Sequence, residues 1–228
     1  THLAVVAEPY RVPSSPDWAA DLEGRVAIIR RCCVGAPPTF AVVERGRGFV
    51  AVLWAKVFIL GVYFSPNRTL AEFEVFLSEL SRVVGRSHSQ RILVLGDLNA
   101  KSLAWGSSRT CPRGRAVEEW LVGSGLLILN RGAELTCVRR LGGSVVDVTF
   151  ATPDVAYRVR GWAVMVGEET LSDHRYIRFS VFATPVGSVR GFSLPISGSA
   201  RGPRWAQKRL NIERLRDAMS RVCDAAMP

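Results

Sequence analysis

Short apolar runs, each closed by Gly, Pro, Asn or an acid, recur along most of this chain and predict a protein built largely of short strands. Leu3–Ala7 is the first, stopped by Glu8-Pro9-Tyr10, and Pro13-Ser14-Ser15-Pro16-Asp17 reads as loop. Val26–Arg30 is the next strand, with a break at Ala36-Pro37-Pro38. Phe40–Val43 and Phe49–Ala55 flank a turn at residues 45–48, and Val57–Phe64 is a core strand ending in Tyr63-Phe64-Ser65-Pro66-Asn67.

The period then changes. Leu70, Phe73, Leu77, Leu80 and Val84 mark one helical face over residues 69–84. Thr69 with Glu72 forms a capping box, and Gly85 is the expected stop. Residues 91–96 follow as a strand buried on both faces, because Ile92–Leu95 are all apolar. A loop from Asn99 to Pro112 leads into a second helix, residues 113–121, with Val117, Trp120 and Leu121 inward and Gly123 and Gly125 as terminators. Five strand candidates come next: Leu126–Leu129, Leu135–Val138, Val145–Ala151, Tyr157–Val166 and Arg175–Phe182.

Periodicity is lost after residue 183. Residues 184–210 are rich in Gly, Pro, Ser and Arg, and residues 211–223 regain a helical face through Ile212, Leu215, Met219 and Val222. The expected organisation is one domain over residues 1–183, then a basic linker over 184–228 carrying a docking helix (211–223) toward a downstream domain. No internal repeat is evident.

Composition narrows the function classes. With 48% hydrophobic and 22% charged residues the chain is globular rather than disordered. Thirty Lys+Arg against 20 Asp+Glu leave a formal charge of +10, which favours a polyanionic partner, nucleic acid ahead of an anionic membrane. Five cysteines without a C-x-x-C spacing argue against a disulfide framework and a structural zinc, and imply a reducing compartment. The apolar stretch Phe49–Phe64 is interrupted by Lys56 and is too short to span a bilayer, so a soluble protein with no membrane partner is expected.

Polar residues cluster at the strand ends: Glu8, Tyr63, Asp97 with Asn99, and Ser172-Asp173-His174. Asp97 and Asn99 would share a face if extension persisted across Leu98, although the same pair is ordinary turn chemistry. Asp147 sits inside the apolar run 145–150, where a carboxylate is costly unless paired or bound to a metal. Three sequence neighbours cannot form a Ser-His-Asp triad among themselves, so Ser172-Asp173-His174 is read instead as an oriented histidine meeting developing negative charge. Acidic oxygen ligands without Cys/His spacing favour a hard cation such as Mg²⁺ over zinc. The loop after Leu98 adds Lys101, Arg109, Arg113 and Arg115 with no acid before Val117, a phosphate-tracking pattern in which Trp105 could wedge or pack.

The order of these motifs resembles the endonuclease/exonuclease/phosphatase superfamily of DNase I and the apurinic/apyrimidinic endonucleases. The matching pieces are Glu8 after an early strand, Tyr63-Phe64-Ser65-Pro66, Gly96-Asp97-Leu98-Asn99, Val145-Val146-Asp147-Val148-Thr149-Phe150 and Ser172-Asp173-His174. Ala7-Glu8-Pro9-Tyr10, Asp97-Leu98-Asn99-Ala100-Lys101-Ser102 and Trp105-Gly106-Ser107 resemble, more narrowly, the endonuclease domain of insect-type, site-specific non-LTR retrotransposons. The tail Arg204-Trp205-Ala206-Gln207-Lys208-Arg209 is similar to the segment that joins this domain to a reverse transcriptase.

The resemblance implies an α+β fold, a four-layered α/β/β/α sandwich of two mostly antiparallel sheets. It implies a nuclease that nicks double-stranded target DNA, so that a linked reverse transcriptase primes on the nick with template RNA. It places Glu8, Asp97 and Asp173 as ligands of Mg²⁺, with Mn²⁺ as a substitute. Tyr63 would hydrogen-bond the scissile phosphate, Asp97 hold or deprotonate the attacking water, and Asn99 orient it. Asp147 would support the network, and Asp173 would fix His174 against the transition state. Lys101, Ser102, Trp105, Arg109, Arg113 and Arg115 would meet DNA. Action would be nuclear, after synthesis in the cytoplasm. The family also carries an Asn on a strand ahead of the Glu-bearing one; only seven residues precede Glu8, so the sequence is read as a piece of a longer protein. Competing expectations are a phosphoinositide or phospholipid-headgroup phosphatase or phosphodiesterase of the same fold, and a non-catalytic basic nucleic-acid-binding module.

Overall fold

The computed structural model describes residues 3–31, 40–87, 91–140 and 142–182, all within one compact unit, Thr1–Ser188. The basic segment 184–228 and its expected helix lie outside the described residues, as do the break at Ala36-Pro37-Pro38 and Cys32, Cys33 and Cys223. Cys111 and Cys137 are free thiols.

In chain order the elements are β1 (Leu3–Ala7), β2 (Trp18–Ala20), β3 (Val26–Arg30), β4 (Phe40–Gly46), β5 (Phe49–Trp54), β6 (Val57–Tyr63), α1 (Leu70–Arg86) and β7 (Arg91–Asp97). After a 3-10 turn at Leu103–Trp105 come α2 (Pro112–Ser124), β8 (Leu127–Ile128), β9 (Cys137–Arg139), β10 (Gly142–Ser144), β11 (Asp147–Ala151), α3 (Pro153–Ala156), β12 (Val159–Val164) and β13 (Ile177–Val181).

The main sheet has six strands in the order β4-β5-β6-β7-β11-β8. All its pairs are antiparallel except β6–β7, which run parallel. A parallel pair needs a crossover, and α1 supplies it. Thr69 and Glu72 form the expected capping box at the helix start. Gly85 does not end the helix: α1 runs through Arg86, and Ser87 donates its N–H to the Val84 carbonyl at 3.0 Å. Likewise α2 begins earlier than expected, at Pro112 under a Cys111 cap, and continues past Gly123 to a left-handed Gly125.

A second β layer holds β1-β3-β2 and the β12–β13 pair. The two faces of the main sheet divide the core accordingly. Phe49, Phe58, Leu60, Val94 and Phe150 meet Phe73, Leu77 and Leu80 of α1 and Val117, Trp120 and Leu121 of α2. Val50, Val52, Ile59 and Leu93 on the other face meet Val26, Ile28, Val159 and Trp162 of the second layer. The fold is therefore the expected α+β two-sheet sandwich. Gly61 lies at a close approach of the two layers: a Cβ there would sit 3.2 Å from both Ile28 and Val5.

Several expected strands are shorter in the structure, among them Leu126–Leu129, of which only Leu127–Ile128 is strand, and Arg175–Phe182, which keeps Ile177–Val181. Val145 and Val146 precede β11, because Ser107 Oγ donates to the Val145 carbonyl and Val146 N–H donates to Thr136 Oγ1. The run Tyr157–Val166 starts in the last turn of α3, leaving only Val159–Val164 as strand. Leu135–Val138 becomes β9 at Cys137–Arg139, paired with β10, whose Gly-Gly-Ser sequence carries no alternation to read. β2 also escaped the pattern, being three residues held by pairing with β3.

One glycine controls the end of β7. Gly96 has φ +145°, and a Cβ there would lie 1.8 Å from the Val62 carbonyl oxygen of the parallel neighbour. Gly96→Ala is expected to destabilise the fold by about 3 kcal/mol, measured by urea unfolding, because both conformation and ladder must shift.

Candidate functional site

Strand register assembles the site. Tyr63 ends β6 directly beside Asp97 at the end of β7, and Asp97 lies directly opposite Asp147 at the start of β11. Three adjacent strands thus present a phenol and two carboxylates in one row.

Asp97 is 2% exposed, and its partners are local. The chain turns after Leu98 instead of staying extended, and Asn99 adopts a left-handed φ of 47°. That turn brings Asn99 N–H to Asp97 Oδ1 at 2.7 Å and Asn99 Nδ2 to Asp97 Oδ2 at 2.9 Å. The same amide donates to the Phe64 carbonyl at 3.1 Å, which ties it to the end of β6. Asn99 therefore orients the carboxylate rather than standing beside it on an extended strand.

His174 arrives from another direction. An isolated antiparallel bridge pairs it with Cys137, while Val138 N–H donates to the Asp173 carbonyl and Arg175 N–H to the Thr136 carbonyl, both at 2.7 Å. The ring Nδ1 contacts Asp147 Oδ1 and Oδ2 at 3.0 and 2.9 Å, and Nε2 lies 4.0 Å from Asp97 Oδ2. Asp147 is held in turn: its N–H donates to Thr136 Oγ1 at 3.1 Å, and its carbonyl accepts from Asn130 Nδ2 at 3.0 Å.

Asp173 takes a different place from the expected one. Its carboxylate pairs with Arg139 Nε at 3.2 Å, with the side chain 60% exposed, so Asp147, not Asp173, holds the imidazole. The expected ligand set changes with it. The donor atoms lying within 4.8 Å of one another belong to Asp97, Asp147 and His174.

Glu8 approaches from the second layer. It follows β1 in a left-handed conformation (φ 47°), fixed by its N–H to the Arg25 carbonyl at 2.7 Å. Its carboxylate lies near enough to the Tyr63 hydroxyl to influence its ionisation, as does Ser65. Burial first, then Glu8, raises the Tyr63 phenol above its ordinary value, so it is a hydrogen-bond donor at neutral pH.

The electrostatics fit a cation. Burial pushes the Asp97 carboxyl up to about 7, and the charges of Asp147 and Glu8 add to it; Asn99 N–H and His174 offset only part. Asp147 raises the His174 imidazole above its ordinary value, mainly by hydrogen bonding and against the opposing effect of burial. Acidic oxygens with too little compensating positive charge are the donor set a hard divalent ion takes.

The basic loop divides into two groups. Trp105 is 1% exposed, edge-on to Phe150, with its Nε1 donating to the Ala100 carbonyl at 3.3 Å, so it is core and not a wedge. Ser102 is fully buried; it caps the 3-10 turn and bonds Glu118. Arg113 donates to the carbonyls of Ser65 and Pro66 at 3.2 Å and lies 5.1 Å from the Phe64 ring, so it braces the segment after β6. Arg109 and Arg115 are exposed and Lys101 is half-buried, which leaves these three as candidate phosphate contacts. Sequence reasoning passed over Thr136 and Asn130, since a lone hydroxyl and a lone amide carry no local pattern.

Comparison with known proteins agrees with this geometry. The family described as endonuclease-reverse transcriptase matches residues 57–178, just over half of the chain. The endonuclease domain of TRAS1, a telomere-specific non-LTR retrotransposon, is 28% identical, with a TM-score of 0.63 over 79% of this chain and 85% of that one. A 3'-5' exonuclease from Neisseria meningitidis shares the fold at 17% identity and TM-score 0.55, over 79% of this chain and 80% of that one. An AP endonuclease from Archaeoglobus fulgidus shares it at 16% identity and TM-score 0.55, over 79% of each chain. No curated protein matches the sequence.

Trp105→Ala is expected to cost about 3–5 kcal/mol in urea unfolding, the range for emptying a buried aromatic site. Arg109→Ala, on the exposed side of the same loop, is expected to change stability by less than about 0.5 kcal/mol.

Proposed function

The chain belongs to the endonuclease-reverse transcriptase family, and from that membership we propose that it nicks double-stranded target DNA in a Mg²⁺-dependent reaction that primes reverse transcription. The observation that carries the reading is the in-register row of Tyr63, Asp97 and Asp147, with His174 locked onto Asp147. In this reading the chain is the endonuclease domain of a non-LTR retrotransposon protein. Its partners are chromosomal DNA in the nucleus, a covalently linked reverse transcriptase and that enzyme's RNA template.

Each residue has a task set by its surroundings. Asp97 would hold the divalent ion, with Glu8 completing its site from the second layer while Asp147 stays bonded to His174, and the ion when bound would supply positive charge to the phosphate oxygens. Tyr63 keeps its proton and donates a hydrogen bond to the scissile phosphate. Asp97, with both oxygens fixed by Asn99, accepts a proton from the attacking water. His174, whose protonated form Asp147 favours, faces the charge that develops on the phosphorane-like transition state. The water oxygen bonds phosphorus as the bond to the 3′ oxygen breaks, leaving a 5′-phosphate and a 3′-hydroxyl for a polymerase to extend.

Nicking of supercoiled plasmid tests these roles. Asp97→Ala and His174→Ala are each expected to lower kcat by about 10²–10⁴-fold while duplex binding persists; undiminished nicking by both would overturn the reading. The pH profile should be bell-shaped. Asp97 acts ionised, so the rate falls as pH drops through its pKa, about 7 without a cation and lower with one bound. His174 acts protonated, so the rate also falls as pH rises through its elevated pKa. His174→Asn is expected to abolish the alkaline limb and keep the acid one.

DNA affinity gives a separate measure. Removing Lys101, Arg109 or Arg115 is expected to reduce the slope of log affinity against log salt by about 1 each, evenly across sequences.

A further inference from the structure

The nicking site draws its two outer groups from different layers: Glu8 follows β1, and Tyr63 ends β6. Neither hydrogen-bond ladder fixes one relative to the other, since β1 pairs with β3 and β6 pairs with β5 and β7. One buried carboxylate outside the site spans that gap. Asp21, 5% exposed, follows β2 and accepts backbone N–H bonds on both oxygens. Oδ1 takes Arg25 N–H at 2.6 Å and Val26 N–H at 3.0 Å. Oδ2 takes Gly48 N–H at 2.9 Å, from the β4–β5 turn, and Glu23 N–H at 3.3 Å.

Both sides lead to the site in one further step. Arg25, whose N–H is on Oδ1, accepts the Glu8 N–H on its carbonyl at 2.7 Å. Gly48, whose N–H is on Oδ2, accepts the Tyr63 N–H on its carbonyl at 2.8 Å. Gly48 is tightly placed: φ is +78°, and a Cβ would lie 2.5 Å from the Tyr63 carbonyl oxygen.

We propose that Asp21 is a positioning residue for the nicking reaction, its carboxylate joining the backbone supports of Glu8 and Tyr63 so that the two side chains meet across the layers. This rests on the nuclease reading above. The carboxylate form matters because it has acceptors on both oxygens. An amide at this place keeps one acceptor oxygen and turns an NH₂ toward the remaining N–H donors. Because Oδ1 receives the two shorter-range hairpin bonds, the amide nitrogen of Asp21→Asn falls toward Gly48 and cuts the Tyr63 branch.

The test is a double-mutant cycle on the full 228-residue chain, reading kcat and KM for plasmid nicking in Mg²⁺. Asp21→Asn is expected to lower kcat by about 10–100-fold with little change in KM, the scale of a small misplacement at a reacting centre. In a Tyr63→Phe background the same change is expected to cost less than about 3-fold, since the group it positions is already gone. Equal fold-losses in both backgrounds would overturn the proposal, because a generally weakened fold loses activity in either. A second readout needs no activity: the Tyr63 ¹³Cζ NMR signal, assigned with Tyr63→Phe, should move in Asp21→Asn and stay put in Leu80→Ala, a core variant remote from the relay. An unmoved signal in Asp21→Asn also overturns it. Should Asp21→Asn not fold, Asp21→Glu carries the same two measurements, with both acceptors kept and displaced by a methylene. If the wild-type chain does not nick DNA, the kinetic cycle is run in the longer protein that contains it, where absent nicking counts against the nuclease reading alone, and the NMR comparison still decides whether Asp21 sets Tyr63.

Discussion

The pairing of β6, β7 and β11 is the constraint on which the rest of the molecule depends. Two of these strands run parallel, so their C-terminal ends emerge on one edge, and the antiparallel third begins where they stop. Ladder geometry separates neighbouring strands by about 5 Å, close enough for side chains at matched positions to act on one substrate group. A slip of one residue in β11 would turn Asp147 to the opposite face. The register is held by what surrounds it: α1 closes the parallel crossover, Gly96 permits the close approach at Val62, and Thr136 takes the N–H groups of Val146 and Asp147.

Crowding the carboxylates creates the site's chemical character and its cost. Asp97 is buried beside a second acid, and folding alone gives back only the Asn99 donors and a nearby imidazole. A cation bound there would offset that penalty. Among the described residues, two of the four non-glycine positions at positive φ lie in the same place, the other two forming the β5–β6 turn. Glu8 and Asn99, both non-glycine residues at positive φ, flank the row, and each is held by a backbone hydrogen bond of 2.7 Å. Backbone conformations of this kind persist where neighbours over-determine them.

The basic surplus is not one surface. Arg113 binds carbonyls and lies against Phe64 and Phe73, while Arg139 is paired with Asp173. These charges build the scaffold near the site rather than an open track. The exposed arginines of the segment after β7, Arg109 and Arg115, are a smaller set than the sequence count suggested.

The sequence alone determined the strands with clear apolar runs, the capped helix α1, and the placement of Glu8, Tyr63, Asp97 with Asn99, and His174 beside strand ends; it read Asp147 as lying inside a strand, whereas the structure begins β11 at that residue. These signals are local: alternation, a capping box, an acid where an apolar run should continue. It misjudged Asp173, Trp105, Ser102 and Arg113, because a residue type near a motif says nothing of which way its side chain turns. It was silent on Asp21, Asn130 and Thr136, whose partners lie up to 27 residues away in the chain. Only the tertiary structure decided which acid holds the imidazole, which loop cations are free, and how Glu8 reaches Tyr63. The reason is physical: hydrogen bonds between layers depend on packing distance and register, and neither is written in the order of residues along one strand.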